Sequence, residues 1–350
     1  MIVKKRQCRF SSTKYNINEK NKLKKAFKKK SKRKVKKRII ENKIIKQFDY
    51  NSKIEFPKDI SHLNSCLKYM EKFNDDENCR IWINHKKLKD IDNSSILFLT
   101  ANIDQIRHGE KLRKDKRLAP SKNINKRLMA IGYWQALCSN SVHETTNLKY
   151  LKIRSANKVK KTDNDFHTEI VEFFTQEKYG ISSPEHKDAL FDALYEAMAN
   201  AVEHAYIDCA DEEKKIWLMG AHNEEKNQLE FVFYDIGIGI FASLEHGKKA
   251  IHKAMRKFYR IFGRNETLKT LCTSDLSRFK KEKLGRGQGM IAFKTFIDIV
   301  SGTQIAQLEV ITENLMYNSK NNEVTKIKQP IKGTLVRWTI GGVEDENSRV

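Results

Sequence analysis

The stretch from Leu190 to Tyr206, LFDALYEAMANAVEHAY, constrains the fold more than any other part of the chain. Leu190, Leu194, Met198 and Ala201 recur at spacings of three and four, which predicts a helix with one face turned to a core. Glu196, Asn200 and His204 follow at i, i+4 and i+8 and share a second line on that helix. Ser183-Pro184 upstream suits a helix start, with Ser as N-cap and Pro at the first helical position. A carboxylate, an amide and an imidazole in one line form an unusual polar stripe. Taken by itself, such a stripe reads equally well as a solvated face.

Two later stretches change that balance. Tyr234 to Ile240 reads YDIGIGI and follows the alternating run LEFVFY, a strand pattern. An Asp and two Gly therefore sit where a strand gives way to a loop. Gly237 and Gly239 let the backbone approach a flat ligand closely. Leu284 to Met290 reads LGRGQGM, with Gly285, Gly287 and Gly289 at alternate positions before the apolar run MIAFKTFIDIV, read as a helix. Backbone N–H groups freed at a glycine-rich helix start make an anion site suited to phosphate.

The ordered set of polar helix, Asp-x-Gly-x-Gly and Gly-x-Gly-x-Gly resembles the GHKL ATPases, the nucleotide-binding fold shared by gyrase, Hsp90, histidine kinases and MutL. Glu196-x-x-x-Asn200 is similar to the family's N box, Asp235-x-Gly237-x-Gly239 to its first glycine box and Gly285-x-Gly287-x-Gly289 to its second. Gly333-Thr334, before the strand-like LVRWTI, is similar to the Gly-Thr near the family's C-terminal end. Within the family, EAMANAVEHAY looks most like the serine-kinase branch that regulates sigma factors. The resemblance implies a two-layer α/β sandwich (the GHKL, or Bergerat, fold) over residues 166–342, with ATP and Mg²⁺ as cofactors. It implies that Asn200 ligates Mg²⁺ through its side-chain oxygen, and that Asp235, supported by Thr334, accepts a hydrogen bond from the adenine amino group. Gly237 and Gly239 would shape the adenine pocket, and Gly285, Gly287 and Gly289 would wrap the phosphates. Glu196 would polarise or orient the group that attacks the γ-phosphate. Two departures stand out: Ile236 where many members have Asn, and Glu203 at a place often basic in relatives. Arg286 supplies positive charge instead.

Charge divides the chain. Residues 1–46 hold about 20 of its 68 Lys and Arg, against Glu19 and Glu41 alone. Like-charge repulsion favours a disordered or helical tail suited to nucleic acid or another polyanion, or equally a solubilising tail. No apolar run reaches the ~18 residues of a membrane span, and no apolar core follows the basic N-terminus as in a secretory signal. Six Cys (8, 66, 79, 138, 209 and 272) are scattered without a Cys-x-x-Cys pair, as expected of free thiols in a reducing cytoplasm.

Residues 52–140 alternate strand and helix: SKIEF, HLNSCLKYMEKF, CRIWINH, then IDNSSILFLTANIDQIRHG, with Asp92, Asn93 or Ser94 as helix cap. The turn Ile91-Asp92-Asn93-Ser94-Ser95 and the later Gly132-centred IGYW resemble a STAS domain, the fold of anti-sigma-factor antagonists. That resemblance implies a phosphate acceptor at Ser94 or Ser95; ordinary capping chemistry explains the same residues. Residues 141–165 form a connector, in which YLKIRSANKVKK lends a first strand to the next domain and His143-Glu144 reads as a surface pair. In residues 166–342, DFHTEIVEFFTQEKYG predicts a helix ending at Gly180, and KIWLMGAH pairs with QLEFVFYD as a hairpin. Residues 241–284 would be an ATP lid with a helix AIHKAMRKFYRIF, and residues 343–350 a short tail. Three functions follow as expectations. The first is a Mg-dependent ATPase or nucleotide switch that controls a partner protein. The second is a serine protein kinase acting on a STAS-type partner or its own Ser94. The third is a nucleic-acid-binding protein with a vestigial ATP fold.

Overall fold

The computed structural model describes residues 44–76, 79–107, 112, 119–138, 150–157, 164–176, 180–207, 209–210, 214–224, 226–247, 250–273 and 289–341. They form a mixed α/β fold. Its centre is a seven-stranded sheet built from β5 (Tyr150–Asn157), β6 (Lys215–Asn223), β7 (Gln228–Asp235), β8 (Ala306–Thr312), β9 (Leu315–Asn318), β10 (Glu323–Lys326) and β11 (Thr334–Gly341). The order across the sheet is β10-β9-β8-β11-β7-β6-β5, and every neighbouring pair is antiparallel. The expected hairpin is β6–β7, with Ile216 opposite Asp235 and Asn223 opposite Gln228. The connector does lend a strand, since β5 pairs with β6 at the sheet edge.

Both faces of this sheet are covered, because its central strands are apolar on both sides. On β6 and β7, Ile216, Leu218, Leu229, Phe231 and Phe233 turn to one face. Trp217, Met219, Val232 and Tyr234 turn to the other, as the period of two requires. The first face packs against α5 (Asn164–Phe174), α6 (Pro184–Asn200) and α9 (Gly289–Ser301), which contribute Ile170, Leu190, Leu194, Met198, Phe293 and Phe296. The opposite face packs against the N-terminal unit: α1 (Ile60–Asn74), α2 (Asn93–Ile106), α3 (Lys122–Ala130) and α4 (Tyr133–Leu137). One buried cluster runs from Ile60, Leu97 and Phe98 through to Trp217, Tyr234 and Leu335. The two-layer sandwich expected of residues 166–342 therefore gains a third layer. Leaving so many large apolar side chains wet would cost about 1.5–3 kcal/mol each.

Several local expectations need correction. Residues 44–46, expected in the basic tail, open strand β1 (Ile44–Asp49), which pairs in parallel with β3 (Cys79–Asn84). Lys46 there puts its ammonium 4.9 Å from the Phe73 ring centroid, so its charge is used locally. SKIEF supplies only the two-residue strand β2 (Lys53–Ile54), paired with β4 (Asp90–Ile91). Helix α5 ends at Phe174, short of Gly180. Of the three cap candidates for α2 it is Asp92 that takes the position, as one of the expectations had it, its carboxylate accepting from the Ser95 N–H at 2.7 Å; Asn93 and Ser94 are the first residues inside the helix. Residues 1–43, His143-Glu144 and 343–350 lie outside the described residues. No helix among the described residues is long and apolar enough to cross a membrane.

Candidate functional site

Helix α6 starts as its sequence requires: the Ser183 side chain accepts from the His186 N–H at 3.2 Å, and Pro184 takes the first turn. Glu196 and Asn200 lie one turn apart near its C-terminal end, both half-buried. The α-helix stops at Asn200, and residues Ala201–Ala205 continue as one π-turn. A π-turn is an ordinary way for a helix to end. The His204 ring meets His252 edge-on at 5.0 Å, and its Nε2 stands 3.8 Å from a Glu203 oxygen.

The end of α6 and the end of β7 meet. The Ile238 N–H donates to the Ala205 carbonyl at 2.8 Å. A Cβ on Gly237 would stand 2.4 Å from both the Cβ and the carbonyl oxygen of Ala205, so only glycine permits this approach. Asp235 closes β7 with its side chain on the helix-facing side, 4 % exposed. It accepts from the backbone N–H of Gly237 at 2.9 Å and from that of Thr334, its cross-strand partner. Among the described residues these two backbone N–H groups are its donors, and an ionised carboxylate can accept more than two. Burial accordingly pushes the Asp235 carboxyl up to about 7, the Gly237 and Thr334 donors offsetting only part of that rise.

Around this turn the chain is tightly laced. Gly239, at φ 81°, leads into α7 (Ile240–His246). The Ile240 N–H donates to Thr312 Oγ1 at 3.1 Å, and that hydroxyl donates to the Gly333 carbonyl at 3.2 Å. The stretch expected as a lid holds α7 and α8 (Ala250–Thr273), which is kinked at Gly263. Arg256 closes the C-terminal end of α7, donating to the carbonyls of Leu244, Glu245 and Gly247. Arg264 pairs with Glu313 and stacks over Phe241 at 4.6 Å, holding α8 against the β8–β9 turn beside the site.

Of the residues expected at the site, Asp235, Gly237, Gly239 and Thr334 come together where β7 and β11 end, while Glu196 and Asn200 lie on α6, whose π-turn continuation meets Gly237 through Ala205. Gly289 opens α9, which packs along α6. Gly285, Arg286 and Gly287 lie outside the described residues. Sequence reasoning missed Tyr206, Tyr234 and Thr312. Tyr206 and Tyr234 lie at the edges of the quoted motifs, where the motif pattern gives them no role, and nothing in the sequence marks Thr312. Among the described residues no group of three or more His, Cys, Asp and Glu side chains is gathered to hold a metal ion.

Ser94 lies elsewhere, fully buried between the N-terminal unit and the sheet. It sits among charges. Arg337 on β11 pairs with Glu309 on β8 and stands 3.8 Å from Asp92 and 3.9 Å from Glu230 on β7. The Ser94 hydroxyl is 3.5 Å from the same guanidinium. Asn93 donates to Glu230 at 2.6 Å and accepts from Arg127 at 2.9 Å. Burial raises the Asp92 carboxyl to about 6, a rise that Ser95 and Arg337 oppose and the nearby Glu230 charge reinforces.

Compared with models of known protein families and with curated protein sequences, the chain matches none.

Proposed function

We propose that this chain is an ATP-binding protein of the GHKL type, acting as an ATPase or nucleotide switch that controls a partner protein. The observation that carries the reading is the Asp235 carboxylate, buried at the end of β7 in a turn that bonds Ala205, at the end of the π-turn continuing the helix that bears Glu196 and Asn200. A purine amino group is a donor this carboxylate could accept beside Gly237 and Thr334. Asn200 would present its amide oxygen to Mg²⁺, which usually enters with phosphates and keeps most of its waters, so it needs no protein cage. When bound, the metal supplies charge neutralisation to the transferring phosphoryl group. Glu196, one turn before Asn200, would orient a water or take its proton. The Arg264–Glu313 pair and the α7–α8 stretch offer a surface whose position can follow nucleotide state.

Phosphorylation of the chain's own Ser94 has the packing against it. The hydroxyl is buried, and a phosphate there would meet Asp92, Glu230 and Glu309 around a single neighbouring guanidinium. A kinase acting on a separate partner would leave that interface intact.

The test uses γ-labelled ATP with Mg²⁺ and follows free phosphate and protein-bound label together. Wild type should release phosphate; Glu196→Gln should retain ATP and release little; Asn200→Ala should lose Mg-dependent binding. Label on an added protein would favour the kinase alternative. A wild-type chain that neither binds nor turns over ATP would sink the proposal.

A further inference from the structure

Two hydrogen-bonded chains run from helix α2 of the N-terminal unit to the two sides of the Asp235 turn. The first begins at Asn102, whose Nδ2 donates to the Tyr234 hydroxyl at 3.2 Å. Tyr234 donates onward to the Lys332 carbonyl at 2.8 Å. Lys332 precedes Gly333, which lies directly against Asp235 and Gly237. The second begins two residues further along α2, at Asp104, which holds the Lys215 ammonium at 3.0 Å. The Lys215 carbonyl accepts from the Tyr206 hydroxyl, and the Tyr206 oxygen in turn accepts from the Ile236 N–H at 3.1 Å. Ile236 follows Asp235 in sequence, so each side of the turn ends on a backbone group held by a tyrosine.

Neither tyrosine is placed as ordinary core filling. Tyr234 is fully buried and packs on Phe98 of α2 at 5.5 Å, on the face of the sheet opposite Asp235. Burial raises both phenols well above their ordinary range, so each hydroxyl stays protonated and available as a donor. A buried phenol that both accepts and donates fixes the spacing of the groups on either side of it.

We infer that α2 is a positioning element for purine recognition: Asn102 through Tyr234, and Asp104 through Lys215 and Tyr206, set the Asp235–Gly237 turn at the spacing the ligand requires. The inference rests on the proposed role of Asp235 in nucleotide binding. Tyr234 touches no nucleotide; it acts through Lys332 and Gly333. The N-terminal unit thereby becomes part of the binding apparatus, and a shift of α2 reaches the site through two tyrosines.

Tyr234→Phe keeps the ring and removes the hydroxyl, and Asn102→Ala removes its donor. Two readouts separate the possible outcomes. The first is amide hydrogen exchange in the nucleotide-free chain. Gly237 and Thr334 should exchange roughly three- to tenfold faster in either variant, as expected for one lost hydrogen bond, while the β8–β9 hairpin keeps its wild-type protection. The second is titration with MgATP and with Mg-tripolyphosphate. ATP affinity should fall by a similar factor and tripolyphosphate affinity should hold, because the loss concerns the base. The double variant should be no weaker than Tyr234→Phe, since both changes break one chain. Unchanged exchange at Gly237 and Thr334, or a rise shared equally across the sheet, would overturn the positioning role. Equal weakening for ATP and tripolyphosphate would overturn its specificity for the base. If wild type binds no ATP, the nucleotide reading itself fails, and the exchange data alone then decide whether Tyr234 holds the turn.

Discussion

Gly333 lies so close to Asp235 that a Cβ built on it would stand 1.9 Å from the Asp235 carbonyl oxygen, and 2.8 Å from the Gly237 nitrogen. Its backbone also takes φ 78°, where side chains other than glycine's are strained. Gly333→Ala should therefore lower stability by about 1–3 kcal/mol through strain at this one residue. Displacement of the turn should weaken ATP binding more than the stability loss alone accounts for. Urea unfolding beside nucleotide titration checks both. A variant with wild-type midpoint and affinity would contradict this account of the turn.

On the proposed nucleotide role, the raised Asp235 carboxyl predicts a definite pH dependence of binding. Its ordinary value is 3.8 and burial lifts it to about 7. A donor from the base favours the ionised form, so affinity should be greatest above pH 7. It should decline by up to about tenfold per pH unit as the carboxylate protonates below that value. Asp235→Asn should bind weakly and without this slope. A wild-type affinity that is flat from pH 5 to 8 would rule out the carboxylate as the base-binding group.

The charge cluster between the layers predicts an asymmetric response to substitution. Arg337 faces Asp92, Glu230 and Glu309. Arg337→Met would leave three carboxylates without their shared cation, and loss of one partner from a buried pair costs about 3–5 kcal/mol. Arg127→Met, by contrast, removes an ion pair to the largely exposed Asp90 and one hydrogen bond to Asn93, and should cost about 1–2 kcal/mol. Thermal or urea unfolding of the two variants should separate them clearly. Equal costs would show that the cluster is no more consequential than a surface pair.

Asp92 adds a stability signature of its own. Its ordinary value of 3.8 rises to about 6 in the folded chain, so the folded state binds this proton more readily than the unfolded state. The penalty from this group is fully present above pH 6, shrinks as pH falls through 6, and is gone below about 4. Asp92→Asn keeps a competent helix cap and has no carboxyl to ionise. Relative to wild type, its stability should therefore be greater at pH 7 than at pH 4. A stability difference that does not change over this window would contradict the assignment.

What the residues disclosed in advance was mostly local. The Leu190 periodicity, the Ser183-Pro184 start and the β6–β7 hairpin follow from chemistry within a few residues, and each forms where its pattern places it. What escaped depends on partners distant in sequence. Val232 and Tyr234 read as the second side of an ordinary strand until the N-terminal unit covers them. Glu230 reads as a solvated position until Arg337 comes to lie beside it. Strand β1 was hidden because Lys46 continues the basic run, although its backbone pairs with β3. The π-turn at Ala201–Ala205 has no sequence signal, since the alanine-rich run would extend a regular helix equally well. The Asp-x-Gly-x-Gly turn was legible as a motif, but Thr312, Tyr206 and Tyr234 become part of the site only through hydrogen bonds across the sheet.

Calorimetric titration with ATP asks whether Asp235 and Asn200 form one nucleotide site, as proposed. Wild type with Mg²⁺ should bind one ATP per chain. Asp235→Asn should weaken ATP far more than Mg-tripolyphosphate, and Asn200→Ala should abolish the gain that Mg²⁺ provides. Absence of binding by a folded wild-type chain, or binding indifferent to both substitutions, would contradict the proposal.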